Sequence, residues 1–111
     1  MIITFQKPKH EQLANNNDLL CKNYNKKGVG YAEDIRIVLD VLCAAETLYD
    51  VPPAFRPHPL QGNNKGCFAV NIDKKHRLVF EPDHAGDPGF RIDNYRTIKK
   101  IRILELFTDY H

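Results

Sequence analysis

The sequence predicts an α+β fold in which two N-terminal helices pack on one face of a small, mostly antiparallel sheet. Through the first half of the chain the apolar residues recur every three to four positions, the period of an amphipathic helix. Beyond about residue 60 they alternate, the period of a strand with one buried face. The predicted order is strand, helix, helix, strand, strand, strand. This segregation of helices from strands is typical of an antiparallel sheet that is covered by helices on one side.

Length and composition agree with one domain over residues 1–111. Of the 111 residues, 42% are hydrophobic and 27% are charged, as in ordinary soluble proteins. No apolar run reaches the roughly 20 residues of a membrane-spanning helix, and the N-terminus turns polar at Gln6, unlike a signal peptide. We therefore expect a cytoplasmic protein without a membrane partner. Cys21, Cys43 and Cys67 lack C-x-x-C spacing, so we expect free, partly buried thiols rather than disulfides or a zinc ribbon.

The first strand and the first helix are short or weakly patterned. Residues 1–5 are β-formers and predict a strand. Residues 10–24 carry a loose helical stripe of leucines and a tyrosine. Three consecutive asparagines at 15–17 weaken that helix, because asparagine side chains compete for backbone hydrogen bonds. Residues 26–30 are typical of a turn.

The second helix, predicted over residues 31–49, is the best-defined element. Glu33 and Asp34 lie in its first turn, where a negative charge interacts favourably with the helix dipole. Pro52 and Pro53 are expected to end it, because the residue before a proline disfavours helical backbone. Its apolar stripe consists of Ile35, Val38, Leu39, Leu42, Ala45 and Tyr49.

The second half of the chain predicts three strands. Residues 51–59 contain four prolines and are expected to be extended and stiff. Residues 66–73 and 76–81 alternate and predict a hairpin that turns at 73–75. After a loop over 83–97, residues 98–110 form the last strand. It is apolar on both faces, which predicts an inner position in the sheet.

The alternation assigns each strand residue to a face. The first group is expected to face the helices: Phe68, Val70, Ile72, Leu78 and Phe80. The second group faces away from them: Cys67, Ala69, Arg77 and Val79. In the last strand, one side carries Ile101, Ile103 and Phe107, and the other carries Leu104 and Leu106. Small side chains around one arginine predict a shallow groove, which suits a polymer backbone better than a small molecule.

Charge is distributed unevenly along the chain. Residues 1–55 contain six Lys/Arg and seven Asp/Glu, whereas residues 56–111 contain ten Lys/Arg and seven Asp/Glu. The predicted helix within residues 31–50 is locally acidic. A positive second half favours an anionic partner.

Residues able to move protons or bind phosphate occur in three segments, 58–68, 76–80 and 108–111. The run HPLQGNNKGCFAVNIDKKHRLVFEP and the final IRILELFTDYH resemble the HigB branch of the RelE/ParE superfamily, the toxins of bacterial toxin–antitoxin pairs. The resemblance covers residues 58–111 strongly and the first half only in helix layout and length. It implies the RelE-like fold, an endoribonuclease that cleaves mRNA in the ribosomal decoding site, no cofactor, and neutralisation by a cognate, HigA-like antitoxin.

On the matching positions, the resemblance assigns the active-site roles to His58, Arg77, Asp109, Tyr110 and His111. The chemistry agrees, because RNA supplies its own nucleophile, the 2′-OH, and needs only a base, an acid and a cation on the phosphate. Histidine is a residue type suited to proton transfer, because the imidazole group as a class titrates near neutrality. Arg77 suits the phosphate, Tyr110 suits base stacking, and Asp109 suits the orientation of His111 or Tyr110.

The sequence departs from the family at the loop after the first site histidine. Gln61 replaces the usual lysine, and Asn63-Asn64 replaces the usual Asp-Arg. We therefore expect Gln61 and Lys65 to contact RNA, with Lys65 compensating for the lost cation. His58, His111 and Asp109 have no metal-ligand spacing, so no metal is expected.

The remaining histidines, His10, His76 and His84, are expected to be ordinary surface residues, with His76 on the helix-facing side.

Two other functions fit the same fold. A ParE-like gyrase poison would not need the His58, Arg77 and Asp-Tyr-His set. A decayed toxin that only binds its antitoxin, and operator DNA, would explain the changes at 61–64.

Overall fold

The computed structural model describes residues 1–26 and 28–109. Its helices are α1 (Pro8–Ala14), α2 (Asn17–Tyr24) and α3 (Tyr31–Ala44). Its strands are β1 (Ile2–Phe5), β2 (Asn25–Lys26), β3 (Val29–Gly30), β4 (His58–Pro59), β5 (Phe68–Asn71), β6 (His76–Pro82) and β7 (Lys100–Asp109). Short 3-10 turns occupy Leu48–Asp50, Pro53–Phe55, Gly62–Asn64 and Tyr95–Thr97.

Five of these strands form one sheet in the order β1-β7-β6-β5-β4. The pairs from β7 to β4 are antiparallel, and β1 runs parallel to β7, with Ile2 opposite Lys100. The predicted α+β class and the inner position of the last strand are confirmed. β2 and β3 form a separate two-stranded ribbon before α3, where the sequence predicts only a turn.

The first predicted helix is two helices, and the prediction of one helix over residues 10–24 is wrong. The Asn16 side chain accepts a hydrogen bond from the Leu19 backbone N–H at 3.2 Å and caps the start of α2. An asparagine in extended backbone at this position satisfies a donor that the helix leaves without a partner. The asparagine run therefore breaks the helix instead of merely weakening it, and α1 begins earlier, with Pro8 in its first turn.

The second predicted helix ends at Ala44, five residues before the predicted end. Thr47 and Asp50 form a capping box: the Asp50 carboxylate accepts from the Thr47 backbone N–H at 3.1 Å and from its hydroxyl at 2.9 Å. This box starts a new 3-10 turn, so the backbone before it is extended. Tyr49 is consequently 59% exposed and does not continue the buried stripe of α3.

The main core lies between the helices and one face of the sheet, as predicted. It joins residues of α1, α2 and α3 to Phe68, Val70, Leu78 and Phe80 of the β5–β6 hairpin. A smaller cluster of Leu60, Ala69 and Val79, with Cys67 and Leu104 packed against it, lies on the opposite face, here called the open face. Ala69 is fully buried, so the expected shallow groove of small residues is instead filled at its centre by Leu60 and Leu104.

The last strand does not alternate regularly. Its register against β6 shifts between Arg77 and Val79 and again between Val79 and Phe80. An extra residue in one strand reverses the direction of the side chains that follow it. Leu106 therefore lies in the main core with Ile103, although the alternation places it on the other side. Phe107 also packs against that core, as expected.

The β5–β6 turn lies where the sequence predicts it, but the paired strand β5 is only four residues long. The Asp73 carboxylate accepts from the backbone N–H groups of Lys75 at 2.7 Å and His76 at 2.8 Å and closes the turn.

None of the helices in the described ranges combines the length and the apolar character that a membrane-spanning helix requires.

Candidate active site

His58 lies on the edge strand β4, opposite Ala69 of β5. Directly opposite residues share a face, so the strand directs His58 to the open face. Its Nδ1 lies 2.6 Å from the Arg56 carbonyl oxygen. A carbonyl only accepts hydrogen bonds, so Nδ1 carries the proton and the lone pair of the neutral ring is on Nε2. This is the tautomer of a histidine that acts as a base through Nε2.

The carbonyl that orients His58 belongs to a strained residue. Arg56 has φ +48° and ψ +58°, the left-handed region, and it is the only described residue other than glycine with a positive φ. It also precedes Pro57, which restricts its backbone further. Such a conformation costs about 1–3 kcal/mol and is concentrated at functional sites. The local fold therefore holds the Arg56 carbonyl against the imidazole at an energetic cost.

Arg77 lies on the open face as well. It is opposite Asn71 of β5 and Thr108 of β7, and Ala69 and Asn71 are two residues apart on the same strand. His58 is therefore two strands and two residues from Arg77, about 12 Å between Cα atoms from strand spacing and rise. The structure thus brings a histidine and an arginine onto one face, with side chains long enough to contact one phosphate group between them.

Asp109 is placed differently. It is directly opposite His76, and its Oδ1 lies 3.4 Å from the His76 Nε2. The His76 ring stacks on Phe107 with centroids 4.1 Å apart and meets the Tyr31 ring of α3 edge-on at 5.2 Å. These contacts place His76 on the helix-facing side, as predicted, and Asp109 with it. The structure does not bring Asp109 onto the open face with Arg77, although both lie at the same end of the sheet.

Tyr110 and His111, the other predicted site residues of the last segment, lie outside the described residues. The described chain ends at Asp109, whose side chain is 73% exposed.

The pairing of His76 with Asp73 is absent from the sequence-based candidates. Nδ1 of His76 lies 3.0 Å from both Asp73 carboxylate oxygens, and the ring is half-buried rather than on the surface. Burial acts to raise the pKa of Asp73, but hydrogen bonds from the His76 ring and from the backbone of Lys75 and His76 outweigh it and lower that pKa. The signal in the sequence is an aspartate at the start of a tight turn, three residues before a histidine.

His84 is buried, so its assignment to the surface is wrong. Its Nε2 accepts from the backbone N–H groups of Lys99 at 2.9 Å and Lys100 at 3.1 Å, and its Nδ1 lies 3.1 Å from Asp87. These bonds tie the loop after β6 to the start of β7. His10 is half-buried, and burial, aided by the positive charge of Lys7, lowers its pKa.

Gln61 and Lys65, the predicted RNA contacts, line a cavity of about 360 Å³ at the β4–β5 end of the sheet. Cys67 lines it too, and burial, with the negative charge of Glu81, raises the pKa of its thiol.

All three cysteines are free, but Cys21 and Cys43 are exposed rather than partly buried. In the part of the chain that the structure describes, no group of three or more His, Cys, Asp or Glu residues is arranged to hold a metal ion.

No protein-family model matches the sequence, and no curated protein resembles it significantly. Solved structures are similar over nearly the whole chain. YafQ from E. coli strain BL21(DE3) has a TM-score of 0.57 at 14% identity, covering 96% of this chain and 90% of that one. The YoeB/ParE toxin from Agrobacterium tumefaciens has a TM-score of 0.54 at 12% identity, with both chains fully covered. YoeB in the YoeB–YefM complex from Staphylococcus aureus has a TM-score of 0.53 at 22% identity, covering 100% and 97%. The chain therefore has the RelE/YoeB-like toxin fold.

Proposed function

We propose that residues 1–111 form a single-domain, HigB-like toxin of a type II toxin–antitoxin system, an endoribonuclease that cleaves mRNA on the translating ribosome in the cytoplasm. Three observations support it: the RelE/YoeB-like fold, the motifs of residues 58–82 and 101–111, and the geometry of the open face. The observation that carries the proposal is that His58 and Arg77 share this face, with His58 held as a base by the Arg56 carbonyl.

The proposed reaction uses the RNA 2′-OH as the nucleophile. Nε2 of His58 takes the 2′-OH proton, and the 2′-oxygen forms a bond to phosphorus. Arg77 stabilises the charge on the pentavalent phosphate through its planar guanidinium. The bond from phosphorus to the 5′-oxygen breaks, and His111 donates the proton that this oxygen needs. The products are a 2′,3′-cyclic phosphate and a 5′-hydroxyl, and the step requires no metal or cofactor.

The other proposed site residues bind the RNA or position residues 110–111. Gln61 and Lys65 contact the RNA backbone or a base beside His58, and Tyr110 stacks on a base. Asp109 positions the two residues that follow it by pairing with His76 at 3.4 Å.

The proposed partner is a HigA-like antitoxin that binds the helical side of the fold. The S. aureus relative in fold is a toxin in complex with YefM, which supports such a partner. A groove of about 490 Å³ between α2 and α3 is lined by Glu33, Arg36 and Ile37. Ile37 is 45% exposed, so this groove offers an apolar contact and an acidic residue away from the open face.

The test is cleavage of translated mRNA by the purified chain, with a DNA gyrase assay beside it. We expect ribosome-dependent cuts that end in a cyclic phosphate, and a loss of about 10²–10⁴-fold in rate for His58→Gln. His10→Gln is the matched control, because His10 lies at the start of α1 and not on the open face. Gyrase inhibition without RNA cleavage would instead identify a ParE-like poison, and inactivity in both assays would leave a protein that only binds its antitoxin.

A further inference from the structure

Cys67, the residue before β5, and Ala69 and Asn71 within β5 form a regular series on the open face. Asn71 is opposite Arg77, and Ala69 is opposite His58. Cys67 is joined to Leu60, whose backbone N–H donates to the Cys67 carbonyl at 2.9 Å. Successive positions are two residues apart, about 7 Å along the strand, a step comparable with one nucleotide of an extended RNA chain.

The third position opens into the cavity of about 360 Å³ lined by Leu60 and Cys67. Its walls include three apolar or aromatic residues, Phe68, Ile92 and Tyr95, and its polar lining includes Lys65 and Asp93. The Tyr95 ring meets the buried Phe68 ring edge-on, with centroids 5.5 Å apart, which fixes its orientation. A cavity with aromatic walls and a few polar groups is the usual form of a site for a flat organic ring.

We propose that this cavity binds a guanine base, that of the nucleotide next to the phosphate held by His58 and Arg77. The proposal rests on the proposed ribonuclease function for the position of the nucleotide. The binding of the base rests on the cavity alone.

The choice of base follows from the two opposite charges in the lining. The Watson–Crick edge of guanine carries two adjacent N–H donors, which one carboxylate accepts together, as Asp93 would. Its other edge carries two acceptors, O6 and N7, which a lysine such as Lys65 binds. Adenine and cytosine present a single amino group to a carboxylate, and uracil presents an N–H between two carbonyl oxygens that Asp93 would repel. Tyr95 supplies an aromatic surface to the ring.

The binding test uses nucleoside monophosphates, so it does not depend on catalysis. GMP, AMP, CMP and UMP are titrated into the chain while backbone NMR signals of Lys65, Cys67 and Asp93 are followed. We expect GMP to bind about tenfold to a hundredfold more tightly than the other three. Asp93→Asn should remove this preference, and Asp83→Asn, an exposed carboxylate of the same connection outside the cavity lining, should retain it.

Equal affinity for the four nucleotides overturns the proposal, as does a GMP preference that survives Asp93→Asn or signals that shift only outside the cavity. If Asp93→Asn lowers the unfolding temperature, Lys65→Met is the second variant, and it too should lose the preference. A preference for GMP in a chain that cuts no RNA supports the binding site and rejects the proposed function. RNA cleavage at the same rate beside guanine and adenine, with no preference for GMP, supports the function and rejects the site.

Discussion

At the scale of single residues, His84 shows how one buried side chain joins two distant segments. Its ring accepts hydrogen bonds from the backbone of Lys99 and Lys100 and stacks on Phe90, with centroids 5.0 Å apart. We predict that His84→Ala lowers the free energy of unfolding by about 2–4 kcal/mol, because the partly buried backbone donors lose their acceptor and the ring leaves a void.

Urea unfolding followed by circular dichroism measures this loss. Asp87→Asn is the control. The Asp87 carboxylate is exposed and contacts only Nδ1 of His84, not the Nε2 atom that accepts from the backbone. Its effect should be much smaller than that of His84→Ala, because water screens the interactions of an exposed carboxylate. Equal effects of the two substitutions would mean that the hydrogen bonds from the Lys99 and Lys100 backbone to His84 contribute nothing to stability.

The two terminal residues are predicted to serve catalysis rather than folding. All core residues that the structure describes lie before residue 110, so deletion of residues 110–111 removes none of them. The unfolding temperature should therefore stay within a degree or two, whereas the rate of RNA cleavage should fall about 10²–10⁴-fold through loss of a proton-transfer group. Thermal unfolding and the ribosome-dependent assay are measured together. Full activity of the stable, shortened chain would remove Tyr110 and His111 from the mechanism.

At the scale of the elements, Asn16 decides where one helix ends and the next begins. Its side chain caps α2 through the Leu19 backbone N–H. Asn16→Ala should cost about 1 kcal/mol of unfolding free energy, the typical value of an N-cap. Asn15→Ala is the matched control, and it should change stability little because no cap depends on its side chain. Chemical denaturation distinguishes the two, and an equal loss for both would contradict the cap.

The same scale includes the irregularities of β7, which no local pattern indicates. Strict alternation places Leu106 on the open face, yet the register shifts against β6 turn it into the main core. Leu106 and Phe107 both contact that core as a result. The shift is fixed by the pairing of β7 with β6, because both strands must keep their apolar residues buried while they twist.

At the scale of the whole molecule, the positive second half of the chain predicts an affinity for RNA that depends strongly on salt. The logarithm of the affinity for single-stranded RNA should fall linearly with the logarithm of salt concentration, with a slope of about −0.7 for each phosphate that is neutralised. Arg77→Ala, which removes the proposed phosphate contact, should make the slope less steep by about 0.7, and Gln61→Lys should make it steeper by the same amount. Fluorescence anisotropy at several salt concentrations measures both. Unchanged slopes in the two variants would show that the RNA backbone passes neither Arg77 nor the loop of residues 61–65.

The sequence by itself determined the class of the fold, because the two periods of apolar residues are local properties. It predicted the inner position of β7, the β5–β6 turn, and the helix-facing residues Phe68, Val70 and Phe80, all of which the structure confirms. The open-face position of Arg77 follows from the same alternation, since side chains two residues apart on a strand point the same way. The open-face position of His58 does not, because it depends on the pairing of β4 with β5.

The tertiary structure decided what depends on distant partners. The parallel pairing of β1 with β7, the burial of His84 against residues 15 positions away, and the pairing of Asp109 with His76 all join segments that are separated in the sequence. A local pattern contains no information on which of several possible partners is nearest. The orientation of His58 is the clearest case: the sequence shows a histidine among prolines, and only the folded backbone of Arg56 shows which ring nitrogen carries the proton.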